Sequence, residues 1–148
     1  MVSPQEYDYL IVIVDDNPEL LMSLTFALTS RESPRFHIQT ANNGIDGLEQ
    51  VSLLQPHCVV IDVKMPGLDG TQLVRALRGD PATATIPLII LSALVQEHDQ
   101  QRGLYAGADR YLMKPTTPDV LISEIEQAIS LSAADRARRL QLLAEQES

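Results

Sequence analysis

Tyr9-Leu10-Ile11-Val12-Ile13-Val14-Asp15-Asp16-Asn17-Pro18-Glu19 is the stretch on which the fold turns. Its apolar run is too short for a helix and rich in β-branched residues, so it reads as a strand covered on both faces. Asp15-Asp16 closes the run. Asn17 then offers an N-cap, Pro18 suits the first helical position, and Glu19 places an acid in the first turn. Leu20, Leu24 and Leu28 follow as an apolar stripe at helical spacing. A buried strand passing through a short acidic turn into a helix is one βα unit.

The same unit recurs outward along the chain. Phe36-His37-Ile38-Gln39-Thr40 alternates, as an edge strand does, while Cys58-Val59-Val60-Ile61 and Leu88-Ile89-Ile90-Leu91 are solidly apolar. Arg110-Tyr111-Leu112-Met113 is a weaker fifth strand. Asn43 precedes a helix with Ile45, Leu48 and Val51 on its apolar stripe, and Asp69 precedes one with Leu73, Val74 and Leu77. Gly79-Asp80-Pro81 ends that third helix. Residues 97–106 form the least apolar helical stretch, with Leu104 as main anchor, and Thr117-Pro118-Asp119 caps a fifth helix carrying Leu121, Ile125, Ala128 and Ile129. Five βα units predict an α/β, doubly wound, five-stranded parallel sheet in the order 2-1-3-4-5, the flavodoxin-like arrangement, with a C-terminal helical extension.

Composition narrows the function classes. The 148 residues suit one domain, and 45% hydrophobic content is enough to build a core. Eleven basic against twenty acidic residues leave a net charge of −9, which argues against a nucleic-acid backbone or an anionic membrane as direct partner. No apolar run approaches the roughly 20 residues of a membrane span, and the polar start is not a signal peptide. A single cysteine, Cys58, fits a reducing, cytoplasmic setting and reads as a small buried hydrophobe. His37, His57 and His98 match no metal-ligand spacing.

In a doubly wound sheet the site lies beyond the carboxyl ends of the strands. There the sequence places Asp15-Asp16 after the first strand, Asp62 after the third, Ser92 after the fourth and Lys114-Pro115 after the fifth. Singly each has an ordinary reading, as a helix cap, a solvated turn acid, a loop serine or a surface turn. Converging on one rim, they are specific. Clustered carboxylates tend to hold protons unless a cation sits among them, and Mg²⁺ is the hard divalent ion that suits them. Lys114 adds a point charge for a phosphoryl group.

At these residues the sequence resembles the receiver domain of two-component response regulators, of the chemotaxis-regulator kind. The resemblance is carried by Ile11-Val12-Ile13-Val14-Asp15-Asp16-Asn17, by the stretch Val59-Val60-Ile61-Asp62-Val63-Lys64-Met65-Pro66-Gly67-Leu68-Asp69-Gly70, by Leu91-Ser92-Ala93, and by Gly107-Ala108-Asp109-Arg110-Tyr111-Leu112-Met113-Lys114-Pro115. It implies a receiver domain over residues 7–130; residues 131–148 lie outside the resemblance and read as a C-terminal helical extension or tail. It implies that Asp62 is the phosphoacceptor, with Lys114 and Ser92 contacting the phosphoryl group and Ser92 and Tyr111 forming the switch. Asp15, Asp16, Asp62 and the backbone carbonyl of Lys64 would hold Mg²⁺. The Lys114–Pro115 bond would be cis, and Lys64 and Leu94 would tune phosphoryl lifetime. The protein is then a phosphoacceptor switch rather than an enzyme, with no visible output domain. Its partners would be a sensor histidine kinase or phosphotransfer protein and a downstream protein target.

The alternatives fit less well. A flavodoxin-like cofactor binder wants a phosphate-cradling loop where Asp15-Asp16-Asn17-Pro18 stands, and no G-x-G-x-x-G follows the first strand. An aspartyl phosphatase wants D-x-D spacing there. A degenerate receiver serving only for docking would lack a rim carboxylate or the lysine, and none is missing. Self-association has two candidate surfaces: the face built from residues 97–106, the fifth strand and the fifth helix, or the tail. In the tail, Ser132-Ala133-Ala134-Asp135 reads as a capping box that would start a new helix near Ala133, with Leu140, Leu143 and Ala144 as its stripe, the alternative being a smooth continuation of the fifth helix. Arg136, Arg138 and Arg139 come early and Glu145 and Glu147 late, so antiparallel pairing with a second copy would match opposite charges.

Overall fold

The computed structural model describes residues 7–93 and 107–147. Five strands, β1 (Tyr9–Val14), β2 (Phe36–Ala41), β3 (Cys58–Ile61), β4 (Leu88–Ser92) and β5 (Arg110–Met113), form one sheet in the order β2-β1-β3-β4-β5. Every neighbouring pair is parallel. The helices are α1 (Pro18–Thr29), α2 (Gly44–Leu54), α3 (Gly70–Gly79) and α4 (Pro118–Glu147). The helix expected over residues 97–106, its anchor Leu104, and Leu94 lie outside the described residues.

Successive strand residues point to opposite faces, so each solid apolar run supplies two cores. Ile11, Ile13, Cys58, Val60, Ile89 and Leu91 face one way and pack against α1 and α4. Val12, Val14, Val59, Ile61, Leu88 and Ile90 face the other way, against α2 and α3. Cys58 is a packing residue, and burial drives its thiol pKa far up. Among the histidines, His57 accepts the Leu10 N–H on Nδ1 at 2.9 Å, extending the β1–β3 pairing.

The expected caps form. Asn17 accepts the amides of Glu19 and Leu20, Asn43 accepts that of Asp46, and Asp69 and Gln72 close a reciprocal capping box. Three expectations need correcting. On α1 it is Leu21, with Leu24 and Leu28, that is buried, and Leu20 is only partly so. On α2, Ile45 is 66% exposed; Gly44, Gly47 and Val51 make the contact face instead, because the helix lies so close to β1 that a Cβ on Gly47 would meet the Val14 methyls. Finally, no new helix begins near Ala133. Helix α4 runs unbroken through the Ser132 sequence, because the first turn from Pro118 is already anchored by Leu121 and Ile122 and propagation costs less than a second nucleation.

At the amino ends of the strands, Arg78 makes a tie that the sequence reading missed. Its guanidinium donates to the carbonyls of Gly107, Ala84 and Ile86 and to Asp109 Oδ2, at 2.6–2.9 Å. Asp109 in turn accepts the Leu88 amide at 2.7 Å. One side chain thus links the end of α3 to the starts of β4 and β5.

Candidate functional site

Each rim residue is aimed by the sheet beneath it. The ladder continues one step past β1 and β3: the Asp15 amide donates to Ala41 O at 3.0 Å, and the Asp62 amide to Val14 O at 2.9 Å. The Lys114 amide likewise donates to Ser92 O at 2.8 Å. The Lys114–Pro115 bond is cis, as expected.

After Asp62 the chain leaves the sheet and returns through Gly70, whose amide donates to Val63 O. Buried Met65 pins this loop to the α2–α3 core. Gly70 opens α3 directly beneath the site, and a Cβ there would overlap the Asp62 carbonyl oxygen.

The three acids meet. Asp15, Asp16 and Asp62 each offer a carboxylate oxygen, and these atoms all lie within 4.8 Å of one another. Asp15 is 3% and Asp62 7% exposed, while Asp16 faces solvent. Lys114 Nζ lies 2.7 Å from Asp15 Oδ2 and 3.7 Å from Asp62 Oδ1, so the ammonium rests on Asp15 and leans toward Asp62. Asp15 also accepts the Asn17 amide at 2.9 Å, coupling the site to the start of α1.

Burial pushes the Asp62 carboxyl above the usual carboxylate range; Asp15 and Asp16 add to this, while Lys114 and the Lys64 backbone N–H oppose it. One ammonium for three carboxylates leaves a deficit of positive charge. Hard oxygen donors with excess negative charge are the ligand set that Mg²⁺ prefers.

Ser92 is buried at the end of β4 and already has an interaction in this state. Tyr111 is half-buried on β5, opposite Ile90, and packs on the α2–α3 core. Lys64 is exposed; its contact with Asp62 is made through the backbone N–H. Asp15, Asp16, Asp62 and Lys114 therefore meet at one rim, Ser92 ends a strand beside it, and Tyr111 lies further back along β5.

A family model, the response regulator receiver domain, matches residues 11–126. The chain belongs to the response-regulator receiver family. This receiver is 37% identical over 120 residues to the protein PilH of Pseudomonas aeruginosa, an alignment spanning 81% of the receiver and 97% of PilH. It is 34% identical over 115 residues to the DNA-binding dual master transcriptional regulator RpaA of Synechocystis, covering 78% of the receiver but 46% of RpaA. The receiver thus spans about half the length of such regulatory relatives.

Among solved structures, the signal receiver domain of a signal transduction histidine kinase from Syntrophus aciditrophicus superposes with a TM-score of 0.75 at 33% identity, covering 83% of the receiver and 91% of that chain. A CheY-like receiver domain protein from Methanospirillum hungatei, at 24% identity, shares the fold with a TM-score of 0.77, over 85% of the receiver and 97% of that chain. Receivers of this family work in two-component phosphorelay signalling. Among the described residues no helix is long and apolar enough to cross a membrane.

Proposed function

We propose that this receiver accepts a phosphoryl group on Asp62, with Mg²⁺ held by Asp15, Asp16, Asp62 and the Lys64 carbonyl, and thereby switches a protein–protein contact. The observation that carries the reading is the placement of Asp62: buried at the end of β3, among two further carboxylates, with the Lys114 ammonium 3.7 Å away. The donor is the phosphohistidine of a sensor kinase or phosphotransfer protein. As the Asp62 oxygen bonds to phosphorus, the bond to the donor nitrogen breaks and its electron pair returns to the imidazole ring.

Asp62 acts as the nucleophile in its ionised form, and Lys114 holds positive charge where the phosphoryl oxygens gather. Bound Mg²⁺ would supply the remaining positive charge and favour ionised Asp62. Asp15 positions Lys114 through their 2.7 Å contact.

The product offers oxygens that Ser92 and Lys114 can contact, each such charge-assisted bond contributing about 1.5–3 kcal/mol net of the bonds to water it replaces. In this state Lys114 already pairs with Asp15, and Ser92 already has an interaction. The Lys114 contact is therefore an exchange, and the two together barely reach the roughly 5.5 kcal/mol that carries an equilibrium from 1:99 to 99:1. A partly populated active state without phosphate follows. The output is contact with a downstream protein, since the net charge of −9 disfavours direct nucleic-acid binding.

The test is incubation with acetyl phosphate and Mg²⁺, followed by intact mass. One added phosphoryl group, lost in Asp62→Asn and with a chelator, is the expected result. A labile phosphoryl group on the Asn variant would refute the assignment.

A further inference from the structure

We propose that the open edge of β2 takes up an extended peptide segment as an added strand, one that is apolar at alternate positions and basic between them. This surface lies at the opposite edge of the sheet from β5, so it does not rest on the reading of Asp62.

The first observation is the backbone. β2 is an outermost strand, and in a parallel pair alternate residues bond to the neighbour. Arg35 O accepts the Tyr9 amide and Ala41 O the Asp15 amide, so residues 35, 37, 39 and 41 face β1. Phe36, Ile38 and Thr40 therefore turn their amides and carbonyls outward. Of these groups only Thr40 O has a partner among the described residues, the Gln50 side-chain amide at 3.2 Å. Gln50 Oε1 is itself buried without a donor, an acceptor that an arriving N–H can satisfy. Sheet edges are ordinarily blunted by charge, proline or a bulge, and Phe36–Ala41 carries no charge and no proline.

The second observation is the groove over that edge. Between α1 and α2 lies a hollow of about 850 Å³ floored by residues 38–42, and it continues past Gln39 and Gln50 into a smaller one of about 380 Å³. The two walls differ. From α1 come Met22 and Phe26, 74% and 76% exposed. From α2 come Asp46 and Glu49, with Leu53 79% exposed beside them. No basic residue lines either hollow, and among the described residues neither acid is ion-paired.

These walls specify the occupant. An added strand sends successive side chains to opposite faces. Those facing α1 meet Met22 and Phe26, which suits apolar residues. Those facing α2 meet two carboxylates beside a leucine, which suits Lys or Arg: the charged end reaches the acid while the aliphatic stem covers Leu53. Main-chain bonds to the edge supply affinity, and the alternation supplies specificity. A second copy of this chain fits less well, because two-fold pairing of β2 edges would set one acid-lined, base-free groove against another.

The probe is the capped peptide Val-Lys-Val-Arg-Val, labelled with fluorescein and titrated with the full chain by anisotropy. It should bind, and replacing both basic residues with Glu should weaken binding at least about tenfold. Met22→Ser/Phe26→Ser and Asp46→Asn/Glu49→Lys should each weaken it similarly; all four positions lie on the surface, and circular dichroism checks that both variants stay folded. N-methylation of one alternate set of peptide amides should abolish binding and of the other should not, since only one set faces β2. By NMR, the amides of Phe36, Ile38 and Thr40 should exchange more slowly with peptide bound, while those of His37 and Gln39, already bonded to β1, should not change. No binding at about 1 mM peptide, equal tolerance of both N-methylated sets, or binding without protection of the outward amides would overturn the inference. So would a dimer of the peptide-free chain that Met22→Ser/Phe26→Ser dissolves in sedimentation, since the edge would then belong to a second copy.

Discussion

Lys114 and Asp15, 99 residues apart in sequence, are joined by a 2.7 Å ion pair, a full ångström closer than the approach of the same ammonium to Asp62. The lysine is thus held ready by a neighbour of the phosphoacceptor. Transfer of a phosphoryl group to Asp62 would compete for it. Lys114→Ala leaves the buried Asp15 carboxylate without its ammonium and should cost about 1–3 kcal/mol of stability. The variant should still take up phosphate, more slowly, with a weaker response at β5. Thermal unfolding and intact-mass time courses measure the two effects separately.

Asp62→Asn should make the protein more stable near neutral pH, not less. Folding raises the Asp62 carboxyl pKa above its value in the unfolded chain, so the folded state holds that proton more tightly. The group favours folding at low pH, and that contribution is lost as pH rises from the ordinary carboxylate range through the raised one. Above that window the ionised form opposes folding. The melting temperature of the variant should exceed that of the parent by about 2–4 °C for each kcal/mol regained, and the gap should close in acid.

Mg²⁺ should stabilise the parent protein by mass action, about 2.7 kcal/mol at a hundred times its dissociation constant. Asp16→Ala, on the exposed side of the cluster, should remove most of that gain while barely changing the melting temperature without metal. An unchanged metal response in this variant would remove Asp16 from the ligand set.

Arg78→Ala should be among the most damaging single changes outside the core. It strips three carbonyls and Asp109 of their donor at once, an expected loss of about 2–4 kcal/mol. Arg78→Lys should not restore it, because an ammonium cannot reproduce the planar fork that reaches four acceptors. Phosphate uptake should survive in whatever fraction remains folded, since the tie lies at the opposite end of the sheet. Urea unfolding with the mass assay checks both halves.

Gly70→Ala should disturb the site without touching a charged group. The added Cβ would overlap the Asp62 carbonyl oxygen, so either α3 or the end of β3 must shift. Uptake of phosphate should fall by about tenfold or more, as expected when reacting groups are displaced by about 1 Å, while Gly79→Ala, which has open space, should be silent.

The strands, the caps and the rim were readable from the chain alone because each depends on local chemistry. A β-branched run bounded by acids can be buried only as a strand, Asn17-Pro18 and Asp69 cap whatever helix follows, and residues at strand ends must share a rim once the sheet is parallel. Other features depend on distances between elements, which no local pattern carries. That α2 presses on β1 through Gly47, leaving Ile45 outside, follows from how closely two layers approach. Arg78 looked like any basic residue at the end of a helix until folding brought Gly107 and Asp109 beside it. The capping-box pattern at Ser132 was a genuine local signal, overridden because a helix already anchored by Leu121 and Ile125 passes through it more cheaply than a new one can start. The sequence by itself determined which groups would meet; only the packed structure decided that Lys114 rests on Asp15 rather than Asp62, because that choice is set by where two strand ends aim their side chains in three dimensions.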